Sequence, residues 1–250
     1  MFKKLFSRGG SAPRSHYAVP DDTVVYAIGD VHGRLDLLGE LERKIVRDAE
    51  ARGESRKVIV YLGDYVDRGY ESRGVIDHLM APGPGGFERV FLKGNHEEFL
   101  LRFLQDSSVA GVWFANGGIE TLMSYGVEVS MSPADASRVH ADFRSAFPDA
   151  HRAFMEGLQV MHREGGYTFV HAGVRPGVAL EDQNPEDLLW IRSDFLEDPR
   201  DHGAVIVHGH TVGEHPVDRA NRIGVDTGAY ATSELTCAVL AGAERGFIST

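Results

Sequence analysis

Five times along this chain an apolar run with strand character stops at a residue able to hold a metal ion, with glycine close beside it. Residues 24–28 lead into Gly29-Asp30-Val31-His32-Gly33, residues 57–62 into Gly63-Asp64, and residues 89–93 into Gly94-Asn95-His96-Glu97. Later, residues 167–170 lead into His171-Ala172-Gly173, and residues 204–207 into His208-Gly209-His210-Thr211. In an open α/β sheet the carboxyl ends of the strands share one edge, where ligands bind. Side chains as far apart as positions 30 and 210 can therefore meet. The densest of these stops is Gly63-Asp64-Tyr65-Val66-Asp67-Arg68-Gly69, two carboxylates and a guanidinium beside a buried strand. Unpaired charge there is costly, so cations on the acids and an anion on Arg68 are the economical reading. Taken alone, the segment is also compatible with an ordinary strand-to-helix turn in which Arg68 pairs with a carboxylate.

The helical spacing of Leu38, Leu41 and Ile45 predicts a helix over 34–51, and residues 72–80 and 99–104 read as two more. Three strand–loop–helix units in succession argue for right-handed crossovers and a largely parallel, helix-covered sheet. Residues 106–160 read as a mostly helical insertion that packs beside this sheet and shapes a substrate groove, with helices over 113–125 and from Pro133, capped by Ser132. Strand patterns at 167–170, 204–207, 222–226 and 235–240 predict a second sheet packed on the first. Residues 1–20, with Lys3, Lys4, Arg8 and Arg14 but no acid, read as a flexible basic arm. That leaves 21–250 as a single domain, a length one core can serve.

The formal net charge of −11 argues against non-specific nucleic-acid binding, which needs a basic surface. Positive charge at a phosphate site must then come from bound metals and a few arginines. The lone Cys237 excludes an internal disulfide framework and any cysteine-built zinc site. No run approaches the ~18–20 apolar residues of a membrane span, and Leu5-Phe6 after Lys3-Lys4 is too short for a signal peptide. The expectation is a cytoplasmic protein without stable membrane insertion. A cysteine phosphatase would need arginine where Ala243 stands, no P-loop run occurs, and Leu100 occupies the second histidine position of a zinc-protease motif beginning at His96.

The mixture of carboxylate, amide and imidazole donors suits Mn²⁺, Fe or Zn²⁺ better than Mg²⁺ or Ca²⁺. Six or more ligands exceed the needs of one open catalytic ion. Two divalent ions sharing one carboxylate, with Mn²⁺ the favoured metal, are therefore expected.

Gly29-Asp30-x-His32-Gly33, Gly63-Asp64-x-x-Asp67-Arg68-Gly69 and Gly94-Asn95-His96-Glu97 together resemble the signature of the metallophosphoesterase superfamily. The fuller similarity is to its phosphoprotein phosphatase (PPP) branch, in the style of bacterial and phage serine/threonine protein phosphatases. His171-Ala172-Gly173, Gly209-His210-Thr211 and Asp226-Thr227-Gly228 extend it over residues 24–240. The resemblance implies the calcineurin-like α/β fold, two packed mixed β-sheets flanked by helices in an αββα sandwich. It also implies roles: Asp30 and His32 hold one ion, Asp64 bridges, and Asn95, His171 and His210 complete the second. Arg68 and Arg192 grip the phosphoryl oxygens, and Asp67 with His96 forms an acid pair at the leaving oxygen. The implied reaction is hydrolysis of a phosphomonoester by direct attack of a hydroxide shared by the two ions, with no phosphoenzyme. Thr211-Val212 stands where much of the superfamily has a further histidine, and His208 is expected to support the ligands from behind rather than bind metal.

The implied substrate is a phosphoserine/phosphothreonine protein or another small phosphoester. A symmetrical diadenosine-tetraphosphate-type hydrolase shares these motifs and is the alternative. A non-catalytic, metal-stabilised binding module is the reading from outside enzymology, and it should have lost a ligand or an acid. None is missing here.

Overall fold

A computed structural model describes residues 17–129 and 135–250. Its first half runs β1 (Thr23–Ile28), α1 (Leu35–Ala51), β2 (Arg56–Tyr61), α2 (Ser72–Met80), β3 (Phe87–Phe91) and α3 (Asn95–Gln105). Helices α4 (Ala110–Trp113), α5 (Ile119–Ser124), α6 (Ala136–Ala146) and α7 (Asp149–Glu156) follow. The second half contains β4 (Met161–Glu164), β5 (Tyr167–Val170), α8 (Pro185–Trp190), α9 (Ser193–Leu196), β6 (Val205–His208), β7 (Val217–Asp218) and β8 (Arg222–Gly224). It closes with α10 (Ala229–Thr232), β9 (Thr236–Ala241) and β10 (Glu244–Ser249).

Two five-stranded mixed sheets result, ordered β10-β9-β1-β2-β3 and β4-β5-β6-β8-β7. In the first, β1, β2 and β3 are parallel; in the second, β5, β6 and β8 are. Side chains alternate across each strand, and here both faces are buried. Val25, Ala27, Val58 and Val60 meet Tyr167, Phe169, Val205 and Val207 between the sheets. Tyr26, Ile28, Ile59 and Tyr61 face outward onto Leu38 and Leu41 of α1, Val75 of α2 and Phe103 of α3. The second sheet's outer face, with Val170 and Ile206, is covered by Leu188, Ile191 and Phe195. Full burial of such side chains stabilises by about 1.5–3 kcal/mol each, which fixes the register and hence where each strand ends. The architecture is the expected αββα sandwich.

Several details differ from the sequence reading. Residues 235–240 were expected in the second sheet, but β9 pairs antiparallel with β1, Ile28 opposite Cys237, and belongs to the first. The crossovers through α1 and α2 extend that sheet in one direction only, so the slot on the other side of β1 is open to a late strand. Strands β4 and β10 are too polar to read from sequence; their pairing partners β5 and β9 hold them as edges. The helix expected from residue 99 begins at Asn95, capped by Gly94, so Asn95 and His96 occupy its first turn. The helix expected over 113–125 is broken at residues 114–118 by a π-type turn in which Gly117 has φ 100°. Ser132 and Pro133 lie outside the described residues, as do residues 1–16 of the expected arm. Of the rest of that arm, Val19 is buried and its N–H donates to the Gly242 carbonyl at 3.0 Å.

Candidate metal centre and active site

Asp64 lies at the middle of the gathered strand ends, 2 % exposed. Its Oδ2 is 3.5 Å from His32 Nε2 and 3.8 Å from His96 Nε2, while its Oδ1 is 3.4 Å from His171 Nε2. Thus the two oxygens of one carboxylate face two different sets of imidazoles. His210 joins Asp64 and His171 in a group whose ligand atoms all lie within 4.8 Å of one another, and His32, Asp64 and His96 form a second such group. Backbone approach is close: a Cβ on Gly94 would run into the Asp64 carboxylate, and one on Gly209 into that of Asp30.

The protonation pattern is unusual for a buried cluster. His32 Nδ1 is 2.9 Å from the Val66 carbonyl and His171 Nδ1 is 2.9 Å from the Leu62 carbonyl. A carbonyl only accepts, so both Nδ1 atoms carry the hydrogen and both Nε2 atoms present lone pairs. Burial holds the rings neutral: it pushes His32 down to about 3 and His210 to about 2, and it lowers His171. His32 Nε2 and His210 Nε2 have no hydrogen-bond partner, and His171 Nε2 faces Asn95 Oδ1 at 2.9 Å. Beside them stand three buried carboxylates, Asp30, Asp64 and Asp226. Burial, then the charges of Asp226 and Asp64, raise Asp30 well above the usual carboxylate range; burial also raises Asp226 to about 6, with Asp64 contributing. Burial opposes ionisation of Asp64 too, but positive charge on the surrounding imidazoles when they are protonated, His171 foremost, favours it, and the balance lies below the ordinary value. Lone pairs and carboxylates turned inward with few donors between them are what divalent cations require, and histidines anchored through their far nitrogen are the usual metal-binding form.

Next to this cage stands a second array built on Asp67, which is fully buried. His96 donates from Nδ1 to Asp67 Oδ2 at 2.7 Å, Trp113 donates from Nε1 to the same oxygen at 2.9 Å, and Thr121 donates to Oδ1 at 2.6 Å. Burial works against a charged His96, but the Asp64 charge and the Asp67 bond outweigh it, and the net effect is a raised pKa. Its Nε2 lies 3.3 Å from Arg68 Nη2. Trp113 and Thr121 come from the helices after α3, and the carbonyl of Gly117 in the π-type turn accepts from Arg68 N–H at 3.0 Å. That segment therefore braces Asp67 and Arg68 directly. His32, Asp64, Asp67, Arg68 and His210 all adopt positive φ, between 45° and 73°. Strained backbone of this kind concentrates where geometry is over-determined by function.

The pattern of the calcineurin-like phosphoesterase family matches residues 23–236. The chain belongs to that family. Among curated relatives, the asymmetrical bis(5'-nucleosyl)-tetraphosphatase PrpE of Anoxybacillus flavithermus is 25 % identical over 84 % of this chain and 87 % of its own length. Serine/threonine-protein phosphatase 1 of Salmonella typhimurium is 25 % identical over 86 % of this chain and 90 % of its own. The crystal structure of a candidate diadenosine tetraphosphatase superposes with TM-score 0.61 at 20 % identity, covering 93 % of this chain and 98 % of that one, a likeness of fold. Members of the family use divalent metal ions, and the His/Asp groups around Asp64 are chemically suited to them.

Of the residues singled out from sequence, Asp30, His32, Asp64, Asn95, His96, His171 and His210 are all buried. Asp30 accepts the His210 backbone N–H at 3.1 Å. Arg68 is half-buried beside His96, whereas Arg192 is exposed and reaches Thr211 Oγ1 at 3.4 Å. His208 is absent from both metal-ligand groups; its ring packs on Phe195 at 5.2 Å, and burial lowers its pKa to about 4. Sequence reasoning assigned no role to Asp226, Trp113, Thr121 or the Glu97 carboxylate. Glu97 accepts backbone N–H groups from Asp64, Tyr65 and Gly94, each at 2.8 Å. Asp226 had a signal, since it ends a strand pattern; Trp113 and Thr121 had none.

Proposed function

We propose that this phosphoesterase is a dinuclear-metal phosphohydrolase. The observation that carries the reading is Asp64 itself, whose Oδ2 faces the unpartnered His32 Nε2 and whose Oδ1 faces His171 Nε2, a ring anchored through its other nitrogen. His32 and Asp30 would hold one ion with Asp64, and Asn95, His171 and His210 the other. When bound, such a pair neutralises phosphoryl charge and makes water acidic enough to supply hydroxide near neutral pH. Mn²⁺ fits the mixed nitrogen and oxygen donors, as do Fe and Zn²⁺.

The chain's own residues do the remainder. Arg68, with the exposed Arg192 beside Thr211, would bind the equatorial phosphoryl oxygens, which is most of what phosphoryl transfer asks of a protein. Arg68 Nη2 can only donate, and at 3.3 Å it faces the lone pair of His96 Nε2, so the guanidinium and the imidazole stand side by side where a phosphoryl oxygen would bind. Asp67 accepts from His96 Nδ1 and fixes the ring with Nε2 turned toward Arg68, so that a ring protonated at Nε2 can donate to the departing oxygen. Trp113 and Thr121 keep the Asp67 carboxylate from rotating.

For substrate, the first reading is phosphoserine or phosphothreonine in protein, supported by the likeness to the Salmonella phosphatase. Similarity to PrpE supports a dinucleoside tetraphosphate about equally, with asymmetrical rather than symmetrical cleavage in that relative's name. The test is hydrolysis of p-nitrophenyl phosphate with Mn²⁺, then side-by-side rates on a phosphopeptide panel and on diadenosine tetraphosphate. No turnover with any of Mn²⁺, Fe²⁺ or Zn²⁺ would leave the binding-module reading standing, and a strong dinucleotide preference would reverse the order of the two substrates.

A further inference from the structure

Tyr230 has no part in the chemistry above, yet its placement is built. It sits in α10, four residues bracketed by left-handed backbone at Gly228, φ 70°, and Ser233, φ 60°. That conformation is strained for serine, and it is clamped by Arg34, the residue just before α1. Arg34 donates to the Ala229 carbonyl at 3.0 Å and to Ser233 Oγ at 3.2 Å, while Thr232 Oγ1 donates to the Thr227 carbonyl at 2.9 Å. The phenol ring is thereby held over the cleft. Arg68 Cζ lies 4.6 Å from its centroid, and the His32 ring meets it edge-on at 5.5 Å and 87°. Tyr230 nonetheless stays 40 % exposed, and Val212, 50 % exposed, packs against Gly228 beside it.

We propose that Tyr230 is a positioning and specificity-determining residue: it holds Arg68 in place and offers its exposed surface to a planar aromatic ring carried by the substrate. This rests on the phosphohydrolase reading. A guanidinium over an aromatic face is worth a factor of about two to thirty, so without the ring Arg68 loses one wall and regains rotamer freedom. Arg68 also touches His96, which puts Tyr230 on the side where the leaving group departs. An aromatic substrate ring meeting Tyr230 gains a further factor of about two to ten over an alkyl group. The ring is either the phenol of an aryl phosphate, joined directly to the leaving oxygen, or a nucleobase at the end of a phosphate chain.

The test compares wild type, Tyr230→Leu and Tyr230→Phe, each loaded with Mn²⁺, on ethyl phosphate, phenyl phosphate and diadenosine tetraphosphate. Tyr230→Leu should lower kcat/KM on all three through Arg68, and lower at least one aromatic substrate about two- to tenfold more than ethyl phosphate. Tyr230→Phe should restore that ratio. An extra loss confined to phenyl phosphate puts the ring at the leaving oxygen; one confined to the dinucleotide puts it at the base. Equal losses on all three, or no rescue by phenylalanine, overturn the proposal. Calorimetric affinities for phenylphosphonate and methylphosphonate give a readout independent of turnover. Should wild type hydrolyse nothing, the phosphohydrolase reading fails. The ring contact then stands if wild type prefers phenylphosphonate and Tyr230→Leu does not, and falls if wild type shows no preference.

Discussion

The two sheets contribute to one cleft in different ways. On the first sheet's side the loops interlock: Val31 and His32 N–H groups donate to the Asp64 carbonyl at 3.1 and 2.8 Å, and Gly33 N–H donates to the Tyr65 carbonyl at 2.8 Å. Glu97 ties the β2 and β3 loops together through their amides. The second sheet's side joins its own loops through Gly209 N–H to the His171 carbonyl at 2.9 Å, and reaches across through the His210 N–H to Asp30 at 3.1 Å and His171 Nδ1–H to the Leu62 carbonyl at 2.9 Å. The arginines follow the same division, Arg68 half-buried and held, Arg192 exposed with one long contact among the described residues. One flank carries the braced Asp67, His96 and Arg68, and on the proposed reading the other adds His171 and His210 to the ligand set and leaves Arg192 exposed.

If that division is right, substitutions on the first flank should hurt most. Asp64→Asn removes the charge both imidazole sets face, and steady-state kinetics should record a loss of about 10³-fold or more. His96→Asn should cost about 10²–10³-fold in kcat while metal analysis finds both ions retained; loss of an ion would move His96 from acid to ligand. Arg68→Ala should cost about 10²-fold, and Arg192→Ala only about tenfold in kcat/KM. Equal losses for the two arginines would erase the distinction between the flanks. Trp113→Phe strips a donor from the buried Asp67 carboxylate. Denaturant titration should register about 1–3 kcal/mol of lost stability, with a turnover loss smaller than that of His96→Asn. Smallest of all, His208→Gln should act on stability while leaving metal content and turnover near wild type. A missing ion in that variant would make His208 a ligand after all.

The same division explains what could be read from the sequence. Asp30, Asp64 and Asn95 follow strands joined by short crossovers, so local spacing announces both the fold and the ligands. His171 and His210 were legible because each ends an apolar run. Asp67's partners were not: Thr121 lies 54 residues away and Trp113 46, brought back by a helical segment whose own signal is core packing. The sheet assignment of β9 failed for a related reason. An alternating apolar strand states that one of its faces is buried, not which edge it joins. Tyr230 was silent because a surface tyrosine in a four-residue helix carries no pattern; only its neighbours Arg68 and His32 give it meaning.

The most direct measurement is the metal content of purified wild type and Asp64→Asn after reconstitution with Mn²⁺ and removal of free ion. A carboxylate shared between two sites requires two ions per chain in the wild type and a loss at both sites in the variant. A single ion in wild type, or two ions held by Asp64→Asn with unchanged affinity, would contradict the shared-aspartate centre.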